Sequence, residues 1–281
     1  MNYRHAFHAG NFADVVKHAI LVALLRRLAE KESAFTYFET HAGSGHYDLR
    51  GNEAQRTGES SGGVARVLAA LPVPETLRDY VDVLTLLGTT NPPRTYPGSP
   101  LIASRILRPG DRGILCELEP TAAATLRKLF AGDRRFAVHE RDGWEALRAL
   151  LPPTPRRGLV LIDPPYEAQL AEFGQVVAGL AEVRLRFPEA TCAIWYPIKL
   201  ARDVMPFHRK LAAVPSPRGC LVAELLLHKP DSGLRLNGCG VAIIDPPWRL
   251  ERQLEELLPA LAGVLVDDPA GGVRLEWLRQ R

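Results

Sequence analysis

The chain has little that would tie it to a membrane, a disulfide-rich exterior or a metal. Its longest early apolar run, residues 19–25, falls far short of the ~20 apolar residues needed to cross a bilayer, and residues 1–18 contain no apolar stretch of the kind that leads export. Neither secretion nor membrane spanning is expected, and a cytoplasmic protein is. Only four cysteines occur, Cys116, Cys192, Cys220 and Cys239, with at least 19 positions between neighbours. No C-x-x-C pair exists to bind zinc or cycle disulfides, so they read as buried thiols in a reducing compartment. Five of the eight histidines, His5, His8, His18, His41 and His46, fall in the first 46 residues. Neither H-E-x-x-H nor Cys/His spacing accompanies them, and no metal is expected. Lysine is scarce too: of 35 basic residues, 29 are Arg and 6 are Lys. Arginine's planar fork suits phosphate, but a formal net charge of +3 over 281 residues cannot by itself establish a nucleic-acid partner.

What is present is material for a core. At 46% hydrophobic and 24% charged residues, the chain fits one large α/β domain with an insertion, or two modest ones. Asn11 can cap a helix that carries Phe12, Val15, Val16, Ala19, Ile20, Ala23 and Leu24 at helical spacing and runs to about Lys31. A strand over 35–40 follows, ending in the glycine turn 41–45. Residues 49–97 change to Gly, Ser and Pro punctuation around helical patterns at 64–71 and 74–87, which predicts a small helical insertion in a main domain made of 1–48 and 98–281. Beyond it, helices at 100–107, 120–130 and 144–150 alternate with strands at 113–117, 135–139 and 158–163. Such alternation signals a parallel sheet covered by helices. Strands at 191–196, 221–228 and 240–245 close the list, the last two reading as an antiparallel hairpin at one edge; the tail beyond Leu261 gives no pattern.

The sharpest chemical feature is Asp163-Pro164-Pro165-Tyr166, directly after the apolar run 158–162. In an open parallel sheet, ligands bind outside the carboxyl ends of the strands. Two prolines fix φ and donate no N–H, so the Asp163 carboxylate and the Pro164 carbonyl stand as a rigid pair of acceptors suited to an NH₂ group. Tyr166 is expected to offer a ring face for a planar base. A second candidate, Asp245-Pro246-Pro247-Trp248, follows the strand 241–244. Asp163 is taken as the catalytic one, because its strand belongs to the parallel alternation, and the second motif reads as a proline-fixed turn. The glycine turn lacks the third glycine of the G-x-G-x-x-G fingerprint, having Asp48 there, which argues against a nicotinamide dinucleotide.

At these residues the sequence resembles the class I methyltransferases that use S-adenosylmethionine and carry a D/N-P-P-Y/F/W motif for methylating amino nitrogens. The strings Tyr3-Arg-His-Ala-Phe-His-Ala-Gly-Asn11 with Asp14, Lys17 and His18, Thr40-His-Ala-Gly-Ser-Gly45, Arg56-Thr-Gly-Glu59, Tyr96-Pro-Gly-Ser-Pro100 and Leu161-Ile-Asp-Pro-Pro-Tyr166 are similar, in order, to the RlmJ family. That family methylates adenine N6 in 23S ribosomal RNA. The resemblance implies a Rossmann-like α/β fold with a mostly parallel seven-stranded sheet, the antiparallel C-terminal hairpin and the helical insertion. It implies S-adenosylmethionine as cofactor, with contacts from His18, His41, Gly43, Gly45, Ser99, Glu117, Asp142, Gly143 and Asp163. Substrate contacts fall on Tyr3, His5, Lys17, Pro164 and Tyr166, with Tyr3, Arg4, His5 and Lys17 as a tail folded over the active site, meeting base and phosphates. Ser99 reads equally as a helix N-cap, and Arg50, Arg56 and Arg66 of the insertion as RNA contacts or as a solvated face. The expected partner is 23S RNA, protein-free or early in assembly, and the default oligomeric state is a monomer. Three alternatives stay open: an amino-methyltransferase acting on DNA adenine, one acting on protein glutamine, and a non-catalytic RNA-binding protein of the same fold.

Overall fold

The computed structural model describes residues 4–70 and 72–280. Tyr3, and Leu71 at the end of one predicted helix, lie outside the described residues. In chain order the helices are α1 (Phe12–Ala29), α2 (Asn52–Thr57), α3 (Val64–Ala69), α4 (Arg78–Leu86), α5 (Ser99–Ile106), α6 (Pro120–Leu129), α7 (Gly143–Leu150), α8 (Gln169–Arg186), α9 (Ala201–Ala212) and α10 (Leu250–Leu265). The strands are β1 (Thr36–Glu39), β2 (His46–Asp48), β3 (Thr95–Pro97), β4 (Arg112–Glu117), β5 (Phe136–Glu140), β6 (Gly158–Ile162), β7 (Thr191–Ile198), β8 (Cys220–Leu226), β9 (Gly238–Ile244) and β10 (Gly272–Arg279).

Eight strands form the main sheet in the order β10-β8-β9-β7-β6-β1-β4-β5. From β5 to β7 the pairs are parallel, and β9, β8 and β10 join antiparallel. The sheet therefore has one strand more than the seven expected. Gly272–Arg279 pairs with β8 and takes the edge that the β8–β9 hairpin was expected to close. Its Leu275 and Trp277 pack against the first core, whereas Val273, Arg274 and Glu276 are exposed.

Side-chain alternation along the strands builds two cores. Tyr37, Leu115, Leu159, Leu161, Val241 and Ile243 face α1, α5 and α10, whereas Phe38, Cys116, Val160, Ile162, Ala242 and Ile244 face α7, α8 and α9. Both faces are covered, so β6 and β9 are buried at every residue. All four cysteines are buried and unpaired. Helix α1 runs through the first core and is buried from Phe12 to Leu25; apolar residues surround it rather than forming one stripe, and Asp14, Lys17 and His18 are buried among them. Asn11 starts it by accepting the Asp14 N–H at 2.9 Å, a cap worth about 1 kcal/mol.

The segment 49–97 carries α2, α3, α4 and β3, and β3 pairs antiparallel with β2 through Tyr47 and Tyr96. Val64, Val67, Leu77, Tyr80, Val83 and Leu84 share one core with Ile20 and Leu24 of α1. Arg66 makes a bidentate pair with Asp267 at 2.6 and 2.7 Å. Arg50 pairs with Asp48 at 3.2 Å, and the Arg56 guanidinium lies 5.9 Å from the Phe7 ring centre.

Candidate active site

Strand order reverses at β1, which is flanked by β4 on one side and β6 on the other. The carboxyl ends of these three strands therefore open onto the crevice where doubly wound sheets hold ligands. They deliver Thr40-His41, Glu117 and Asp163 to one place.

At β6 the prolines carry the chain away from the sheet and leave the Asp163 side chain 14% exposed. Lys17 Nζ meets Asp163 Oδ2 at 2.6 Å and Asp14 Oδ1 at 3.0 Å, and it lies 5.8 Å from the centre of the Trp195 ring. Lys17 belongs to α1 and is nearly buried, so it is not part of a tail that meets phosphates; it is the counter-ion of the motif aspartate. Asp14 is the hub behind it. Its Oδ2 accepts from His5 Nε2 at 2.9 Å and from the Gly10 N–H at 3.0 Å. Burial alone would raise the Asp14 pKa, but the charges of His5 and Lys17 hold it well below the usual carboxylate range. The short 3₁₀ turn His5–Phe7 thereby connects to Asp163 through Asp14 and Lys17.

Tyr166 does not stand open as expected. It is 7% exposed, donates its hydroxyl to the Trp195 carbonyl at 2.7 Å, and packs edge-on against Phe173 and Trp195. With φ at 52° it occupies the left-handed region, an unusual state for a bulky residue, so packing and the hydroxyl anchor hold the turn in place. Trp195, level with Asp163 on the neighbouring strand, was not singled out from sequence. The only local signal is an aromatic near the carboxyl end of an apolar strand.

The turn after β1 supplies the second wall. Gly43 and Gly45 have φ of +63° and +75°, and a Cβ on Gly43 would lie 2.4 Å from the Tyr47 hydroxyl. The Gly43 N–H donates to Glu117 Oε2 at 2.7 Å, and the Glu119 N–H donates to Oε1 at 2.8 Å. A carboxylate has about four lone-pair sites, so Glu117 keeps acceptor capacity for a diol. Asp142 caps α7, accepting from the Trp144 and Glu145 N–H groups, both on Oδ1. Gly143 lets that helix end approach β1: a Cβ there would meet the Thr40 carbonyl oxygen at 2.2 Å.

Two expected contacts, His18 and Ser99, sit deeper than the crevice, and a third, His41, is half-buried. His18 is 1% exposed, shares a 2.7 Å hydrogen bond with the Tyr96 hydroxyl, and burial lowers its pKa to about 3. His41 shares 2.8 Å with Thr40 Oγ1, lies edge-on to Trp144, and is lowered by burial to about 4. Ser99 is not the N-cap of α5, a place held by Gly98; its hydroxyl donates to Glu39. Glu39, completely buried and also bonded to Tyr37 at 2.8 Å, is raised by burial to about 8. The clustered histidines separate onto Asp14, Glu59, Tyr96 and Thr40.

The second motif lies elsewhere. Because β9 runs antiparallel to β7, Asp245 emerges at the opposite end of the strands, where Thr191 Oγ1 donates to its carbonyl at 2.8 Å. Asp245 is 2% exposed, pairs with Arg184 at 2.8 Å and accepts the Arg218 N–H at 2.6 Å. Its carboxylate is fully engaged in structure.

Comparison with known proteins places the whole chain. Residues 32–279 match the family model described as "Ribosomal RNA large subunit methyltransferase D, RlmJ". The chain is 41% identical over 279 residues to "Ribosomal RNA large subunit methyltransferase J" of Escherichia coli K12, covering 99% of both chains. It is equally identical, over 280 residues and the same shares, to the Haemophilus influenzae protein of that name. A crystal structure of a Legionella pneumophila protein superposes with a TM-score of 0.87 at 32% identity, covering 96% of this chain and 98% of that one. With the crevice, the Asp-Pro-Pro-Tyr turn and matches of this extent in agreement, the chain belongs to the RlmJ methyltransferase family.

Proposed function

We propose that this protein transfers a methyl group from S-adenosylmethionine to the N6 amino group of an adenine in 23S ribosomal RNA. The single observation that carries the reading is the rigid pair of acceptors, Asp163 and the Pro164 carbonyl, held at the switch-point crevice beside the glycine turn. Membership of a methyltransferase family implies a donor of the S-adenosylmethionine type, and the residues present suit one. Gly43 keeps the turn free of side chain, Glu117 retains lone pairs for ribose hydroxyls, and Asp142 Oδ2 is available to an adenine amine. S-adenosylmethionine, when bound, supplies an electrophilic methyl carbon.

The work of the chain's own residues is positioning. The adenine amine is a poor nucleophile because its lone pair is delocalised into the ring. Hydrogen bonds from its two protons to Asp163 and to the Pro164 carbonyl favour a pyramidal nitrogen whose lone pair can be aimed, so most of the acceleration comes from orientation and fixed charge. Lys17 holds Oδ2 and leaves Oδ1 to face the amine. Once the methyl is transferred, the nitrogen loses a proton to Asp163 or to water. His5 and Lys17, joined through Asp14, border the path of a base that must leave its stack to reach the carboxylate.

The test is transfer of labelled methyl to protein-free 23S RNA that lacks its modifications, followed by nucleoside analysis. N6-methyladenosine made by the wild type and absent with Asp163→Ala is the expected result. Label in matched DNA or in protein, and none in RNA, overturns the substrate.

A further inference from the structure

Trp248 closes a motif whose aspartate is buried, yet it is itself 71% exposed. It stands on a cleft of about 490 Å³ walled by Arg218, Pro247, Trp248, Arg252 and Trp277, at the end of the sheet opposite Asp163. Glu251 is the one carboxylate in the wall, and it accepts a hydrogen bond from Trp277 Nε1 at 2.5 Å. Arg218, Arg249 and Arg252 outnumber it, and Asp245 beneath them pairs with Arg184 at 2.8 Å and lies 4.0 Å from Arg218 Nε, so four arginines face two carboxylates. The wall is therefore cationic. Its volume lies in the range of small-molecule sites, ample for one nucleotide. Indole faces bind bases of any identity, and guanidinium groups bind the phosphates between them.

We propose that this cleft binds a single-stranded segment of the RNA substrate, one base against Trp248 and the flanking phosphates on Arg218 and Arg252. The inference rests on the reading of the chain as an RNA methyltransferase. Four residues of β7 separate the levels of Asp163 and Asp245, since Ile162 pairs with Ile194 and Ile244 with Cys192. That is about 13 Å along the strands, and two inter-strand steps add to it. The segment held here thus lies several nucleotides from the target adenine, so the cleft selects RNA by reach and adds affinity without touching the reaction.

The experiment compares Trp248→Ala and Arg252→Glu with Arg134→Glu, an exposed charge control on another part of the surface. The KM for 23S RNA is expected to rise about tenfold in the first two with kcat little changed, and Arg252→Glu should make the salt dependence of binding shallower by about one unit of log–log slope. Arg134→Glu should move neither. Equal KM values in all variants, or an equal rise in all three, overturn the proposal. Quenching of tryptophan fluorescence by a short oligouridylate reads the cleft independently of turnover. Quenching lost in Trp248→Ala supports the cleft even where the wild type methylates no RNA and the functional reading falls, whereas no quenching of the wild type rejects the cleft while methyl transfer stands.

Discussion

Two Asp-Pro-Pro-aromatic segments follow two buried strands of one sheet, and they have opposite fates. Asp163 leaves a parallel strand at the switch point, keeps a partly exposed carboxylate and meets a lysine that reaches it from 146 positions away. Asp245 leaves an antiparallel strand at the other end of the sheet, is 2% exposed and is bound by an arginine and a backbone N–H. Of the three non-glycine residues with positive φ among the described residues, Tyr166 and Asp245 belong to these two segments and Arg249 directly follows the second. The prolines impose a similar sharp exit in both. Strand direction decides whether that exit opens on a ligand crevice or on a structural corner, so a tetrapeptide that reads as catalytic is so only at one end of the sheet.

Exchanging the aspartates is the strongest way to break this comparison. Asp163→Ala should lower methyl transfer about 10³-fold, the scale of lost acid–base and positioning groups, while the melting temperature falls less than in the second variant, because Lys17 keeps Asp14 as a partner at 3.0 Å. Asp245→Ala should do the reverse. It strands Arg184, whose side chain is 10% exposed, at a cost of about 3 kcal/mol, which lowers Tm by about 6 °C and leaves turnover per folded molecule intact. Parallel rate losses in both variants would put the two motifs in one site.

Lys17→Met sharpens the comparison at the catalytic end. It removes the counter-ion that fixes Asp163 Oδ2 and frees Asp14, and kcat should fall about 10²-fold through misplacement of the carboxylate. A kcat equal to wild type, measured at saturating RNA, would leave the ion pair without a positioning role.

The smallest expected effect is on pH. His18, held at about 3 by burial, is neutral in the folded protein where the unfolded chain, near 6.5, takes up a proton. Its contribution is therefore present above pH 6.5 and is lost as pH falls from 6.5 toward 3. Glu39, raised by burial to about 8 from 4.5, acts the other way: its contribution is full below pH 4.5 and is lost as pH rises toward 8. His18→Gln should flatten the acid side of the Tm–pH curve between 6.5 and 4, with little change above 7. An unchanged acid limb would show that His18 is not buried neutral.

Much of this molecule is legible before folding. The cap at Asn11, the glycine turn, the alternation of helix and strand and the proline-fixed exit after β6 are local, set by residues within a few positions of one another. β10 is not legible in this way: the tail beyond Leu261 gives no pattern by itself, and the strand is defined by its pairing with β8. Roles are harder. Ser99 has a helix-start composition, but Glu39 claims its hydroxyl from 60 positions away. Tyr166 has the identity of a stacking residue, yet Trp195 and Phe173 enclose its ring.

The sequence by itself determined which groups exist and which turns hold them: a carboxylate and carbonyl fixed by two prolines, a glycine bend, an acid at the end of β4. Tertiary structure alone decided which aspartate faces a ligand, because strand direction is set by pairing with β7 and β8 rather than by the strand's own residues. It alone brought Lys17 to Asp163 and enclosed His18, Glu39 and Tyr166. Burial and charge act through distance in space, and the chain fixes distance only between near neighbours until packing closes the rest.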